Sequence, residues 1–186
     1  MGKNPEKKIS KKFSSFTEEE QWLQTMLQEG WILIRYDIDD EDGCQYVFRP
    51  IANKEEQKFI YKVDFRDFSN KRDFQEYKEL FADAGWTVLS KSMWYSKHIF
   101  YTDSTNSQRD IFSDQSSYIE REKRKMSSSL TTAIISFFFF IVAIILFIIF
   151  DQISILGGAG TFLFILGMKA LLDYFRHRKS YKALEG

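Results

Sequence analysis

The chain holds one cysteine, Cys44, and two histidines, His98 and His177, in 186 residues. A single thiol allows no intrachain disulfide, which fits a reducing compartment. Cys44 stands beside a turn with no histidine nearby in the sequence, so it reads as an ordinary thiol rather than a nucleophile. Two histidines this far apart make a poor start for a metal cluster, and neither a metal nor another cofactor is expected. A phosphate-cradling glycine loop is also missing, because the glycine cluster at residues 157–160 lies inside an apolar run. Asp64 and Asp83 can be paired on paper as acid and base, but 26 acidic residues guarantee such pairs. Solvated or lysine-paired carboxylates are the plainer reading. No catalytic residue is assigned, and the chain is expected not to be an enzyme.

Net charge is absent too, with 26 basic residues against 26 acidic ones. Residues 1–119 carry 17 Lys/Arg and 21 Asp/Glu, whereas residues 120–186 carry 9 and 5. The mildly acidic first part argues against an extended nucleic-acid footprint. The basic excess flanks the most apolar stretch, where anionic headgroups would attract it.

That stretch, residues 130–150, has no charged side chain in 21 positions. As a helix it spans about 31 Å, close to the hydrocarbon thickness of a bilayer. Asp151 and Gln152 separate it from a second apolar run at 153–168, which reaches spanning length if Lys169 snorkels to the interface. Two residues make a tight turn, so residues 130–172 read as a transmembrane hairpin. Arg121, Lys123, Arg124 and Lys125 precede it, and Lys169, Arg176, Arg178, Lys179 and Lys182 close it. With no Lys or Arg in the turn, both termini are expected to be cytoplasmic, in a multi-pass cell-membrane protein whose first partner is the lipid bilayer. Residues 1–12 have no apolar core for a signal peptide, and Glu6 spoils a myristoylation motif at Gly2. Ser154/Gly158 and Gly157/Thr161 are small-xxx-small pairs. They suit packing within the hairpin first, and a homo-oligomer second.

The soluble part reads as an α+β domain. A polar, basic N-terminus, residues 1–12, is expected to be disordered, with a first strand near Phe13 and Phe16. Thr17 and Glu20 form a capping box for a helix whose face carries Trp22, Leu23, Met26 and Leu27, ended by Gly30. Residues 31–36 are strand-like and return through Asp42-Gly43 to residues 45–49 as a hairpin. A calcium loop fails here, since Ile38 and Arg49 occupy its first and twelfth places. Residues 58–65 alternate cleanly, with Phe59, Tyr61, Val63 and Phe65 on one face. Ser69 or Asn70 caps a second helix with Phe74, Tyr77, Phe81 and Ala84 inward, and Gly85 ends it. Strands at 86–89 and 94–101 follow.

This order repeats. Trp22/Tyr77, Met26/Phe81, Gly30/Gly85, Trp31/Trp86 and Leu33/Val88 all match at an offset of 55. Residues 13–102 therefore read as a duplicated cytoplasmic domain of two βαββ repeats, forming antiparallel sheet with the helices on one side. Residues 103–129 are a linker and juxtamembrane helix capped at Ser113 or Asp114, and residues 173–186 a basic cytoplasmic tail.

Four stretches carry a resemblance: Trp22-Leu23 through Glu29-Gly30-Trp31; Tyr61-Lys62-Val63-Asp64-Phe65; Glu76-Tyr77 through Asp83-Ala84-Gly85-Trp86; and Ile111-Phe112-Ser113-Asp114 through Ile119-Glu120-Arg121. In this order and spacing they resemble the bacterial membrane-associated domain-of-unknown-function family 2812, over about residues 13–126. The resemblance implies a cytoplasmic domain ahead of membrane helices, often encoded beside PadR-type repressors, hence regulatory or envelope-stress company. It supplies no catalytic residue.

Two functions follow as expectations. One is a membrane-anchored interaction or sensor module with a cytoplasmic protein partner. The other is a binder of a small apolar or lipid-like ligand, assisting envelope stress sensing or export. The ligand- or partner-binding candidates are Trp31, Tyr46, Tyr61, Asp64, Trp86 and Trp94, whose aromatic members could line a groove for an apolar ligand or partner peptide, or simply build the core.

Overall fold

A computed structural model describes residues 5–38, 44–89, 92–105, 115–150 and 154–185. The chain divides into two compact units, residues 1–121 and 122–186. The first unit contains two βαββ segments. Strand β1 (Lys7–Lys11), helix α1 (Phe16–Gln28), β2 (Trp31–Ile38) and β3 (Cys44–Pro50) form the first; β4 (Phe59–Phe65), α2 (Lys71–Asp83), β5 (Thr87–Val88) and β6 (Lys97–Asp103) form the second. A single 3-10 turn at Glu56–Lys58 joins them.

Each segment makes its own three-stranded antiparallel sheet, in the orders β1-β3-β2 and β4-β6-β5. In both, the strand after the helix lies at an edge and the returning strand fills the centre. The α+β expectation holds, but as two sheets rather than shared sheet.

The N-terminus corrects the reading of 1–12 as disordered. Lys7–Lys11 is a strand paired along β3, and the first strand precedes Phe13 rather than containing it. Its sequence, Lys-Lys-Ile-Ser-Lys, offers one apolar side chain and hence no period to read. The lysine stems use aromatic surface instead: Lys7 Nζ lies 5.1 Å from the Trp31 ring centre and Lys11 Nζ 5.0 Å from that of Trp22. Lysine on an edge strand also discourages pairing with another chain.

Helix α1 is capped two residues earlier than the sequence suggests. The Ser15 hydroxyl accepts from Glu18 N–H (3.2 Å), and the Glu18 carboxylate accepts from Ser14 N–H (3.0 Å) and from its hydroxyl. The box is thus built on Glu18, which leaves Glu19 and Glu20 free to turn inward. Gly30 ends α1 at φ +89°, and Gly85 follows α2 at φ +76°, the left-handed positions glycine takes without strain. Asn70 caps α2 by accepting from Asp73 N–H at 2.9 Å.

Two apolar cores result. Leu23, Met26 and Leu27 of α1 join Leu33, Tyr46 and Phe48, and Tyr61, Val63, Phe65 and Ile99 meet them from the second sheet. The opposite face of that sheet, with Ile60 and Phe100, packs on Phe74, Tyr77 and Phe81 of α2 together with Trp86. The second sheet is therefore covered on both faces, and the helices do not share one side. Burying each large side chain is worth roughly 1.5–3 kcal/mol.

Helix α3 (Gln115–Ile149) runs unbroken from the first unit into the second, and α4 (Ser154–Glu185) follows. Residues 173–185 continue α4, so the expected tail is helical. The hairpin tip at Asp42-Gly43, the caps Ser113 and Asp114, and the Asp151-Gln152 turn lie outside the described residues.

Both α3 and α4 are long and apolar enough to cross a membrane, with mean hydropathies of 3.1 and 1.4 over an 18-residue stretch of each. Ile134, Ile135, Phe138, Ile141, Ile148 and Phe162 are all exposed, a surface that suits lipid rather than water. Small residues let the helices meet. A Cβ on Gly157 would touch Phe147 (3.4 Å), one on Gly160 Ala143 (3.7 Å), and one on Gly167 Phe137 (3.1 Å). Gly158 has open space around it.

Candidate functional site

Glu19 and Glu20 sit in the first turns of α1, where amides and dipole favour carboxylates. Both are buried, at 3% and 7% exposure. Being consecutive, they diverge into two polar networks.

Glu19 faces β3 and β6. Its Oε1 accepts from the Tyr46 hydroxyl (2.5 Å) and from Lys97 Nζ (2.8 Å), which also reaches Oε2 (3.1 Å). Tyr36 donates to the Lys97 carbonyl at 2.6 Å, tying β2 to β6. Burial works against the Lys97 ammonium, but Glu19 and its neighbours outweigh it and hold the pKa above the ordinary lysine value. Burial, then Glu19, pushes the Tyr46 hydroxyl far up, and burial pushes the Cys44 thiol up. Cys44 is thus a protonated interior thiol, the opposite of an activated nucleophile.

Glu20 faces the free edge of β4. Its Oε1 accepts from Val63 N–H (2.9 Å) and from Arg121 Nη1 (2.6 Å), and Lys62 Nζ stands 3.4 Å from Oε2. Arg121 Nη1 also donates to the Val63 carbonyl (2.5 Å), and its guanidinium lies 4.9 Å from the Phe16 ring centre. Lys62 contacts the Tyr118 hydroxyl. Gln24 donates to the Phe59 carbonyl at 3.1 Å. Side chains of α1 and α3 thereby satisfy an edge that would otherwise offer open pairing groups.

Arg121 departs most from the sequence reading. Placed there at the membrane interface, it is 3% exposed inside the first unit. The only sequence signal was its place in Ile119-Glu120-Arg121, because an arginine in a basic cluster before an apolar helix looks like a flanking charge. In the sequence Glu20 looks like a capping carboxylate and Lys62 figures only within Tyr61-Lys62-Val63-Asp64-Phe65, while Glu19 and Lys97 carry no signal. Among the other basic residues, Lys123, Arg178 and Lys179 are exposed, while Arg124, Lys125, Lys169 and Arg176 are half-buried. In the second unit, Glu122 and His177 are buried and meet at 2.6 Å, beside the Asp173–Arg176 pair.

The aromatic candidates do not converge. Trp31 edges the first core, Trp86 lies inside the second, and Trp94 is 82% exposed. Tyr46 belongs to the Glu19 network. Asp64 is buried and accepts from Tyr77 (2.8 Å), whereas Asp83 is exposed, so the two make no acid–base couple. His98 is fully buried against Phe68, Phe74 and Tyr77 and bonds the Arg66 carbonyl through Nε2 (3.1 Å). Burial holds its pKa below the ordinary value. Among the described residues, no three His, Cys, Asp or Glu side chains gather where a metal could be held. Tyr61 lines a cavity of about 280 Å³ between β2 and the second sheet.

Two βαββ segments locked by buried charges to the start of a long apolar helix define an α+β domain followed by a helical pair suited to a membrane. The chain belongs to the family described as "Protein of unknown function (DUF2812)", which matches residues 15–134, nearly two thirds of its length. No curated protein and no solved structure matches it.

Proposed function

We infer that the chain is a membrane-anchored interaction or sensor module of a bacterial cell, regulatory and non-catalytic. The observation that carries this reading is the burial of Arg121. The first turns of α3 belong to the soluble unit, so whatever that unit binds acts on a helix whose continuation is apolar and exposed.

Basic residues on both flanks favour cytoplasmic termini. The shared strand order of the two segments supports an internal duplication. The partner is a cytoplasmic protein rather than nucleic acid, and Ser154/Gly158 offers a row for self-association within the bilayer. Crosslinking with mass spectrometry on intact membranes tests this reading. A partner linked to residues 5–105 and absent from a hairpin-only control supports it; identical profiles for the two sink it. A tag between Asp151 and Gln152 that outside reagents cannot reach would overturn the topology.

A second reading, binding of a small apolar ligand, is favoured by the cavity beside Tyr61.

A further inference from the structure

The cavity owes its shape to an irregularity in β2. The register passes from Leu33↔Phe48 to Arg35↔Val47, so Ile34 is an extra residue that re-aims its neighbours. Ile32, Leu33 and Ile34 form one wall; Phe59, Leu89 and Tyr101 form another. At about 280 Å³ the space falls just below the roughly 300–1,000 Å³ typical of pockets for drug-sized ligands, which suits a smaller molecule.

Its lining is as polar as it is apolar, with Arg49, Glu56, Tyr61 and Tyr101 standing among the apolar side chains. Arg49 and Glu56 form a two-pronged pair at 2.9 and 2.8 Å, and the same arginine reaches the Pro50 carbonyl (3.0 Å). Glu56 is further held by Ala52 N–H at 2.9 Å. That pair is complete and leaves the wall neutral. A ligand carboxylate would have to break it or share its guanidinium, and either course is unfavourable.

Tyr61 differs. It is 3% exposed, and its hydroxyl accepts from Leu33 N–H at 3.1 Å. Among the described residues no acceptor stands within hydrogen-bond reach for its own proton. Burial pushes its pKa up to about 12, so the proton is present throughout the physiological range. A buried donor without an acceptor is costly, and the space it lines is where an acceptor fits.

We propose that this cavity binds an uncharged molecule of about a dozen non-hydrogen atoms, part apolar and part polar, that accepts a hydrogen bond from Tyr61. The inference rests on the second reading, ligand binding in this cavity, and is independent of the anchoring and partner reading.

Fluorine NMR on the full chain in lipid nanodiscs tests it with three probes of similar size. These are 4-(4-fluorophenyl)butan-2-one, the hydrocarbon 1-butyl-4-fluorobenzene, and the anion 3-(4-fluorophenyl)propanoate. Leu89→Phe, which fills the cavity, controls for partition into lipid. The ketone is expected to bind saturably, about tenfold tighter than the hydrocarbon, with the anion weakest. Tyr61→Phe should erase the ketone's advantage, and Leu89→Phe should abolish binding. If Tyr61→Phe fails to fold, the wild-type ranking still decides. Equal binding of ketone and hydrocarbon overturns the proposal, as does an anion that binds as well as the ketone. So does ketone binding that survives Leu89→Phe, or no saturable ketone binding.

Discussion

Replacing Arg121 with methionine removes the charge but keeps most of the apolar stem against Phe16. Glu20 would then remain buried, 7% exposed, with Val63 N–H at 2.9 Å and Lys62 at 3.4 Å as its polar neighbours, and the Val63 carbonyl would lose its 2.5 Å donor. Breaking a buried ion pair from one side costs about 3–5 kcal/mol. Lys62 can move closer, which places Arg121→Met at the low end, about 3 kcal/mol. Glu20→Gln should cost less, because its amide can still serve Val63 N–H through the remaining oxygen. The double variant should cost clearly less than the sum of the two, by about 1–3 kcal/mol, because the charges depend on each other. The assay is urea unfolding in a detergent that leaves the hairpin helical, followed by tryptophan fluorescence. All four tryptophans lie in the first unit, so the signal reports that unit alone. Losses below about 1 kcal/mol, or strict additivity, would refute the claim that Arg121 is a buried member of the first unit.

Lys97→Met should destabilise the same unit by about 3 kcal/mol, since Glu19 then keeps only Tyr46 inside the protein; unchanged urea midpoints would contradict this. Gly30→Ala should cost about 1–2 kcal/mol from backbone strain alone, because no atom lies within 4 Å of its Cβ position. Full stability in that variant would argue against the left-handed cap. His98 is held neutral by burial, so its pKa is lower folded than unfolded, and the associated stability is present above about pH 6.5 and lost as pH falls toward the folded value. Urea midpoints should therefore drop below pH 6.5 with a slope of up to about 1.4 kcal/mol per pH unit that His98→Gln removes. In the second unit, Gly167→Ala meets the Phe137 ring at 3.1 Å whereas Gly158→Ala meets nothing, so only the first should loosen the hairpin in a thermal melt in detergent.

The hairpin, the helix faces and the strand alternation were legible because each depends on spacing along the chain. A charge-free stretch of 21 residues needs lipid or a large interior whatever surrounds it. Phe74, Tyr77 and Phe81 fall on one face of any helix, and Gly30 and Gly85 mark where helices stop. Those features, and the family carried by them, needed no third dimension. The tertiary structure decided what depends on distant partners. Lys7–Lys11 became a strand because β3 supplied its hydrogen bonds, not because its side chains alternate. Glu19, Glu20, Lys97 and Arg121 look like solvated charges in the sequence, and only folding brings residues 78 and 101 positions apart within 3 Å of one another. The tryptophans went to separate places, and a cavity lies beside Tyr61, next to a one-residue irregularity in β2. A periodic pattern follows from the chain's own geometry, whereas a buried charge pair or a void is set by where other segments come to rest.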